Sequence, residues 1–160
     1  MKQLLLTITI FSFISVFSQK QLPNIMLKTL DGKSVKIQDK TSKNKITVLS
    51  FWATWCAPCI NELDEISDVY EDWTEETNVD FIAISIDDSR TQKRINPLIN
   101  GKGWEFNILI DKNQELKRAL NISIIPHIII LKNNKILYRH TGYSPGFEEQ
   151  LYEKIKQYSK

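Results

Sequence analysis

Ile46-Thr47-Val48-Leu49-Ser50-Phe51-Trp52 is an almost unbroken apolar run, and three residues further on comes Cys56-Ala57-Pro58-Cys59, which leads directly into a helical pattern. A run this apolar predicts a strand covered on both faces, the kind that lies inside a sheet flanked by helices. From Cys59 onward Leu63, Ile66, Tyr70 and Trp73 recur at steps of four, three, four and three, which predicts an amphipathic helix. The only two cysteines of the chain therefore sit where a buried strand passes into the first turn of a helix. Unpaired N–H groups and the positive end of the helix dipole collect there and favour a thiolate on Cys56. The spacing lets Cys59 reach back one turn, attack a mixed disulfide formed on Cys56 and release the partner. These residues imply reversible dithiol–disulfide exchange.

Three other readings compete for the same pair. A structural disulfide would usually join distant segments, because closing so short a loop restricts the unfolded chain little. Zinc would need two more ligands, and the only histidines, His127 and His140, fall on what reads as one hairpin. Haem attachment would need His after the second cysteine, where this chain has Ile60.

The 160 residues, 42% hydrophobic and with seven Phe, five Tyr and four Trp, suit a single globular domain. A formal charge of +2 without any Lys/Arg block gives no reason to expect a nucleic-acid partner. The first residues read differently from the rest. Met1-Lys2-Gln3, the uncharged stretch from Leu4 to Phe17 and the small residue Ser18 have the pattern of a secretory signal cleaved after residue 18. The apolar run is shorter than the roughly 18 to 20 residues that span a bilayer, though an uncleaved tether is the alternative. The expected organisation is a leader over 1–18 and one domain over 19–160, exported and working in an oxidising compartment such as the periplasm.

The remainder alternates in type. Ile25-Met26-Leu27 and Val35-Lys36-Ile37 around Asp31-Gly32 predict a hairpin, and Val79 to Ile86 a second buried strand. Residues 87–103 form an insert with a short helix around Arg90 to Ile99, ended by Gly101 and Gly103. Phe106 to Ile110 reads as a strand and Gln114 to Leu120 as a helix. Ile128 to Leu131 and Lys135 to Arg139 read as a hairpin turned by Asn133-Asn134. Ser144-Pro145 is the expected cap of a last helix that points Phe147, Leu151 and Ile155 inward. Strands separated by helices and closed by an antiparallel pair predict an α/β fold, a mixed central sheet covered on both faces.

Phe51-Trp52-Ala53-Thr54-Trp55-Cys56-Ala57-Pro58-Cys59 resembles the active-site signature of the thioredoxin superfamily, and Ile125-Pro126 resembles its cis-proline loop. The N-terminal hairpin, the insert and the leader make the chain similar to the exported TlpA/ResA-like reductases. The resemblance implies a thioredoxin-like fold and a thiol–disulfide oxidoreductase. Its redox group would be the Cys56–Cys59 disulfide itself, with no separate cofactor and no resident metal. It implies protein thiols and disulfides as substrates, cytochrome c apoproteins among them, and an electron donor in the membrane. On residue type alone Pro126 would be an ordinary trans edge residue. By resemblance its bond is cis, and Trp55, Pro58, Ile125 and Pro126 border the substrate, which pairs with the backbone in strand-like fashion. His127 departs from the small hydroxyl residue usual after this proline and reads either as a solvated strand residue or as a titratable neighbour of the site.

Proton handling departs as well. The buried Asp that cytoplasmic thioredoxins carry six positions before the first cysteine is here Ser50, which cannot titrate. By spacing alone Glu62 is a solvated helix carboxylate on the face of Cys59. By resemblance it aligns with the acidic residue of ResA-like proteins and takes the proton of Cys59. Asp64 and Glu65 read as surface. The ResA-like resemblance favours net reduction. A thiol peroxidase is a second enzyme reading, opposed by Leu49 and Ala53 where a Pro-x-x-x-Thr-x-x-Cys run is needed. A copper metallochaperone is the non-enzyme reading, opposed by the cysteine spacing.

Overall fold

The computed structural model describes residues 21–41 and 44–160. The expected leader and its cleavage site lie outside the described residues. Strands β1 (Met26–Thr29), β2 (Ser34–Lys36), β3 (Ile46–Trp52), β4 (Asp80–Ser85), β5 (Asn107–Ile110), β6 (His127–Lys132) and β7 (Lys135–Thr141) form one mixed sheet in the order β2-β1-β5-β4-β3-β6-β7. Helices α1 (Ile37–Lys40), α2 (Ala57–Thr77), α3 (Ile95–Lys102), α4 (Glu115–Ala119) and α5 (Phe147–Ser159) complete it. β3 runs parallel to β4 and antiparallel to β6, and all seven of its residues are buried. That central place is why its sequence lacks the polar alternation of an edge strand.

Alternation along β6 and β7 separates the two faces of the sheet. His140 pairs with Ile128 and stacks on Phe147 of α5 at 3.9 Å between ring centroids. Arg139 and Thr141 occupy the other register and face the other side, where Arg139 Nη1 donates to the carbonyl of Leu120 just after α4 at 2.9 Å. Helices α2 and α5 lie together, joined by the stacked pair Trp73–Tyr152 at 5.5 Å. Phe81, Phe106 and Tyr70 form an edge-to-face cluster between β4, the start of β5 and α2.

Several boundaries differ from the sequence reading, each for a local reason. Gly101 lies inside α3, and Gly103 alone ends it, at φ 69° where a left-handed residue closes the helix. A 3₁₀ turn at Gln92–Arg94 precedes that helix, so the insert starts its helical part later than expected. The cap of α5 is Gly146, at φ 81°, in place of Ser144-Pro145; Ser144 contributes its carbonyl, which accepts from Phe147 N–H at 3.1 Å. Asn133 and Asn134 have φ of 53° and 63°, the two positive values that a tight hairpin turn of this hand demands. A register shift between Ile130 and Leu131 leaves Leu137 of β7 without a partner, a bulge in the outer strand.

Asn78 closes α2 in the left-handed region, φ 54°, with its N–H donating to the carbonyl of Thr74 at 3.0 Å. Asn tolerates that region better than residues with a larger Cβ branch. Asn78→Val is expected to lower stability by about 1–2 kcal/mol while Asn78→Gly holds or raises it. A urea midpoint that falls with an unchanged slope in the Val variant alone is the confirming result.

Candidate active site

The site forms at the C-terminal ends of β3 and β4, where α2 begins. Cys56 caps α2 and Pro58 lies in its first turn, where the missing N–H of proline leaves nothing unsatisfied. Cys56 N–H donates to the carbonyl of Ala53 at 3.0 Å, and Cys59 and Ile60 N–H groups both donate to the carbonyl of Cys56 at 3.1 Å. Cys56 and Cys59 are joined as a disulfide with their Cα atoms 5.3 Å apart. Cys59 is fully buried, whereas Cys56 keeps 6% of its surface exposed, so the first sulfur is the one that solvent reaches. The helix N-terminus lies under that sulfur, which favours negative charge there when the bond is open.

The structure brings the remaining expected residues to this end of the sheet. Trp55 is 56% exposed and Pro58 is exposed beside it. The Ile125–Pro126 bond is cis. Phe51 pairs with His127, so the same antiparallel register extended one step sets Pro126 opposite Trp52. Pro126 is held from behind, its carbonyl accepting from Gly142 N–H at 2.9 Å. Ile124, which the sequence reading passed over, is 63% exposed in the same loop.

Glu62 is 2% exposed, so the solvated reading of this carboxylate is wrong and the buried one stands. Ser50 Oγ on β3 donates to Glu62 Oε1 at 3.1 Å, and Oε2 has no hydrogen-bond partner. Burial pushes the Glu62 carboxyl up to about 8, against a smaller opposing effect of Ser50 and with Glu65 adding to the rise. The carboxyl therefore holds its proton at neutral pH in the disulfide form. Ser50 thus occupies the place of a titrating group and serves as donor to the one that titrates.

His127 is not a solvated strand residue. It is 7% exposed; Nδ1 shares a 2.7 Å hydrogen bond with Thr141 Oγ1 and Nε2 has no partner. Burial lowers its pKa to about 4, aided by Arg139 and His140, so the ring is neutral. His127 and His140 project from opposite faces of the sheet. Among the described residues no three His, Cys, Asp or Glu side chains are grouped to hold a metal ion.

Asp64 and Glu65 are half-buried, in contrast to the surface reading. Asp64 accepts from Trp104 Nε1 at 3.0 Å and Lys102 Nζ at 2.6 Å, tying the end of the insert to α2. Trp104 in turn meets Trp52 edge to face at 5.2 Å. Glu65 accepts from Tyr143 O–H at 2.6 Å. Sequence reasoning missed Asp87 altogether. This fully buried carboxylate, two residues past β4, accepts from both Thr54 N–H and Thr54 Oγ1, at 2.9 and 2.7 Å. The only signal for it is a pair of acids, Asp87-Asp88, directly behind an apolar strand.

A cis-proline loop set against a disulfide at the start of the helix that follows a central strand defines a thioredoxin-like thiol–disulfide oxidoreductase. The chain belongs to the AhpC/TSA family, which matches residues 18–140. It is 30% identical over 142 residues to the thiol-disulfide oxidoreductase ResA of Bacillus thuringiensis, spanning 88% of this chain and 76% of that protein. It is also 30% identical over 129 residues to sporulation thiol-disulfide oxidoreductase A of Bacillus subtilis, across 80% of this chain and 75% of the relative. Among solved structures, an uncharacterized thioredoxin-like protein from Porphyromonas gingivalis superposes with a TM-score of 0.74 at 43% identity, covering 85% of this chain and 90% of that one.

Proposed function

We propose that this protein is an exported reductase that exchanges its Cys56–Cys59 dithiol with disulfides of protein clients and draws no chemistry from a separate cofactor. The observation that carries the reading is the pairing of a disulfide at the head of α2 with a buried carboxyl one turn further on, hydrogen-bonded to Ser50. Cys56 attacks the client disulfide and a mixed disulfide forms as the first client thiolate leaves. Cys59 then gives its proton to Glu62 and attacks Cys56 Sγ, which closes the internal disulfide and releases the second client thiolate. The protonated Glu62 of the disulfide form is the state expected after that transfer. In the reverse half-cycle the same carboxyl returns the proton to Cys59 as an electron donor reopens the bond. A group that titrates near 8 is poised for both directions at neutral pH.

The exposed rings of Trp55 and Pro58 and the half-buried side chain of Ile125 offer apolar contact to a client chain laid along the Pro126 loop. Apoproteins of cytochrome c are the proposed clients and a membrane protein the proposed donor, both by resemblance to the ResA-like family. The leader pattern over residues 1–18 supports export to the periplasm or an equivalent oxidising space; among the described residues no helix is long and apolar enough to cross a membrane.

Equilibration of the purified protein with glutathione tests the direction. A reductase is expected to have a potential well below the roughly −120 mV of a strong oxidant such as DsbA. A value near that of the oxidant would overturn net reduction, and a pair that never exchanges with glutathione would overturn the redox reading itself.

A further inference from the structure

Asp87 has no part in the exchange steps above, yet it is the carboxylate most thoroughly built into the loop that carries Cys56. Burying a carboxylate completely is costly unless fixed donors replace the water it loses. Here the donors are Thr54 Oγ1 to Oδ1 at 2.7 Å, Thr54 N–H to Oδ2 at 2.9 Å and Ser85 Oγ to Oδ2 at 2.8 Å. Asp87 N–H in turn donates to Ser85 Oγ at 3.1 Å, so side chain and backbone are both locked to the end of β4. Ser85 is itself anchored, its carbonyl accepting from Asp111 N–H at 2.8 Å. Both donors of Thr54, two residues before Cys56, thus find their partner on the segment just past β4. On the other side of the turn, Cys56 N–H is bonded to the carbonyl of Ala53. The turn 53–56 is therefore closed on itself by the Ala53–Cys56 bond and tied to the rest of the fold at Thr54 by a single side chain from outside it.

We propose that Asp87 is a positioning residue for the dithiol: by gripping Thr54 it holds Cys56 over Cys59 and so sets how readily the internal disulfide closes. The inference rests on Cys56–Cys59 being the redox pair. Closure of the internal bond competes with a mixed disulfide in proportion to the effective concentration of Cys59 at Cys56, and that concentration falls when the turn can drift. A loosened clamp leaves Cys56 nucleophilic but shifts the equilibrium toward the open dithiol and prolongs mixed disulfides.

The test is the glutathione equilibrium, in which the Cys56–Cys59 bond breaks and the glutathione disulfide forms as two electrons and two protons pass from two glutathione thiols to the protein. Asp87→Asn exchanges one acceptor oxygen for a donor that faces the donors of Thr54 and Ser85. It is expected to move the equilibrium about five- to tenfold toward the dithiol, equivalent to about 20–30 mV at 29.6 mV per tenfold change. Thr54→Val removes only the hydroxyl and is expected to move it about two- to fivefold the same way, while Thr54→Ser, which keeps both donors, restores the wild-type constant. The double variant Asp87→Asn with Thr54→Val should shift no further than Asp87→Asn alone, since both act through one contact. An equilibrium constant that stays at the wild-type value in Asp87→Asn and in Thr54→Val, whatever happens to the melting temperature, overturns the proposal and leaves Asp87 a purely structural tie. Should Asp87→Asn fail to fold, the Val and Ser variants at Thr54 decide the matter by the same measurement. A wild-type protein that does not exchange with glutathione at all counts against the proposed function and not against the clamp specifically.

Discussion

Cys56→Ser is expected to abolish disulfide exchange, lowering the rate of insulin reduction on the order of a thousandfold or more, because no other sulfur can open a client bond. Cys59→Ser is expected to behave in the opposite way at the first step. It keeps the attacking thiolate, loses the group that resolves the intermediate, and therefore accumulates covalent complexes with clients. Non-reducing gels of the two variants recovered from cells separate these outcomes. The asymmetry follows from exposure: Cys56 meets solvent and Cys59 is sealed beneath it. Covalent partners on the Cys56→Ser protein and none on Cys59→Ser would reverse the assignment of roles.

Glu62→Gln keeps the shape of the buried carboxyl and removes its proton chemistry. Resolution of the mixed disulfide is expected to slow by about ten- to a hundredfold near neutral pH, with alkylation of Cys56 by small reagents unchanged. The wild-type rate should climb with pH toward about 8 as Glu62 ionises, and that limb should be lost in the variant. Stopped-flow tryptophan fluorescence can follow the step, since Trp52 and Trp55 lie on the strand and loop that lead to Cys56. The same residue has an equilibrium signature of known sign. Between about 4.5 and 8 the unfolded chain has released the Glu62 proton while the folded chain still holds it, so the stability of the disulfide form falls as pH rises. His127, neutral when folded, works against this between about 4 and 6.5, where the unfolded chain takes up a proton that the folded ring refuses. The clean window is therefore 6.5 to 8. There Glu62→Gln should remove a loss of up to about 1.4 kcal/mol for each pH unit, read from urea midpoints. Parallel stability profiles for wild type and variant would return Glu62 to an ordinary carboxylate.

The long elements were legible because their burial is periodic or complete: β3 and β4 read as apolar runs, and α2 showed its inward face at Leu63, Ile66 and Trp73. The dithiol was legible for a chemical reason, since two cysteines at that spacing at a strand–helix junction have few other uses. Glu62 was legible only halfway. Its helical phase placed it on the face of Cys59, but phase does not say how deep a face lies, and resemblance supplied the depth that Ser50 and β3 provide. His127 was left between two readings because a polar residue at the start of a strand is normally wet; here Thr141 across the ladder satisfies one nitrogen and the other is buried without a partner. Asp64 and Asp87 were beyond reach, for their partners come from residues 40 and 33 positions away in the chain. No local pattern records such a pairing. The short pieces, α1 and the turn at Gln92–Arg94, are a single turn each and leave no periodicity to read.

The bulge at Leu137 bears on a hazard that every open sheet must meet. A client with an open disulfide carries free backbone N–H and C=O groups, and a straight outer strand would invite it to zip on and seed a fibre. The two rims of this sheet are poor templates for that. β2 is only three residues long, and β7 is kinked by its unpaired Leu137, carries the charges of Lys135 and Arg139, and at its hairpin end is already taken by Gln21. Extended chains are thereby disfavoured along the sides of the sheet, away from the end where β3 leads into the Cys56–Cys59 disulfide.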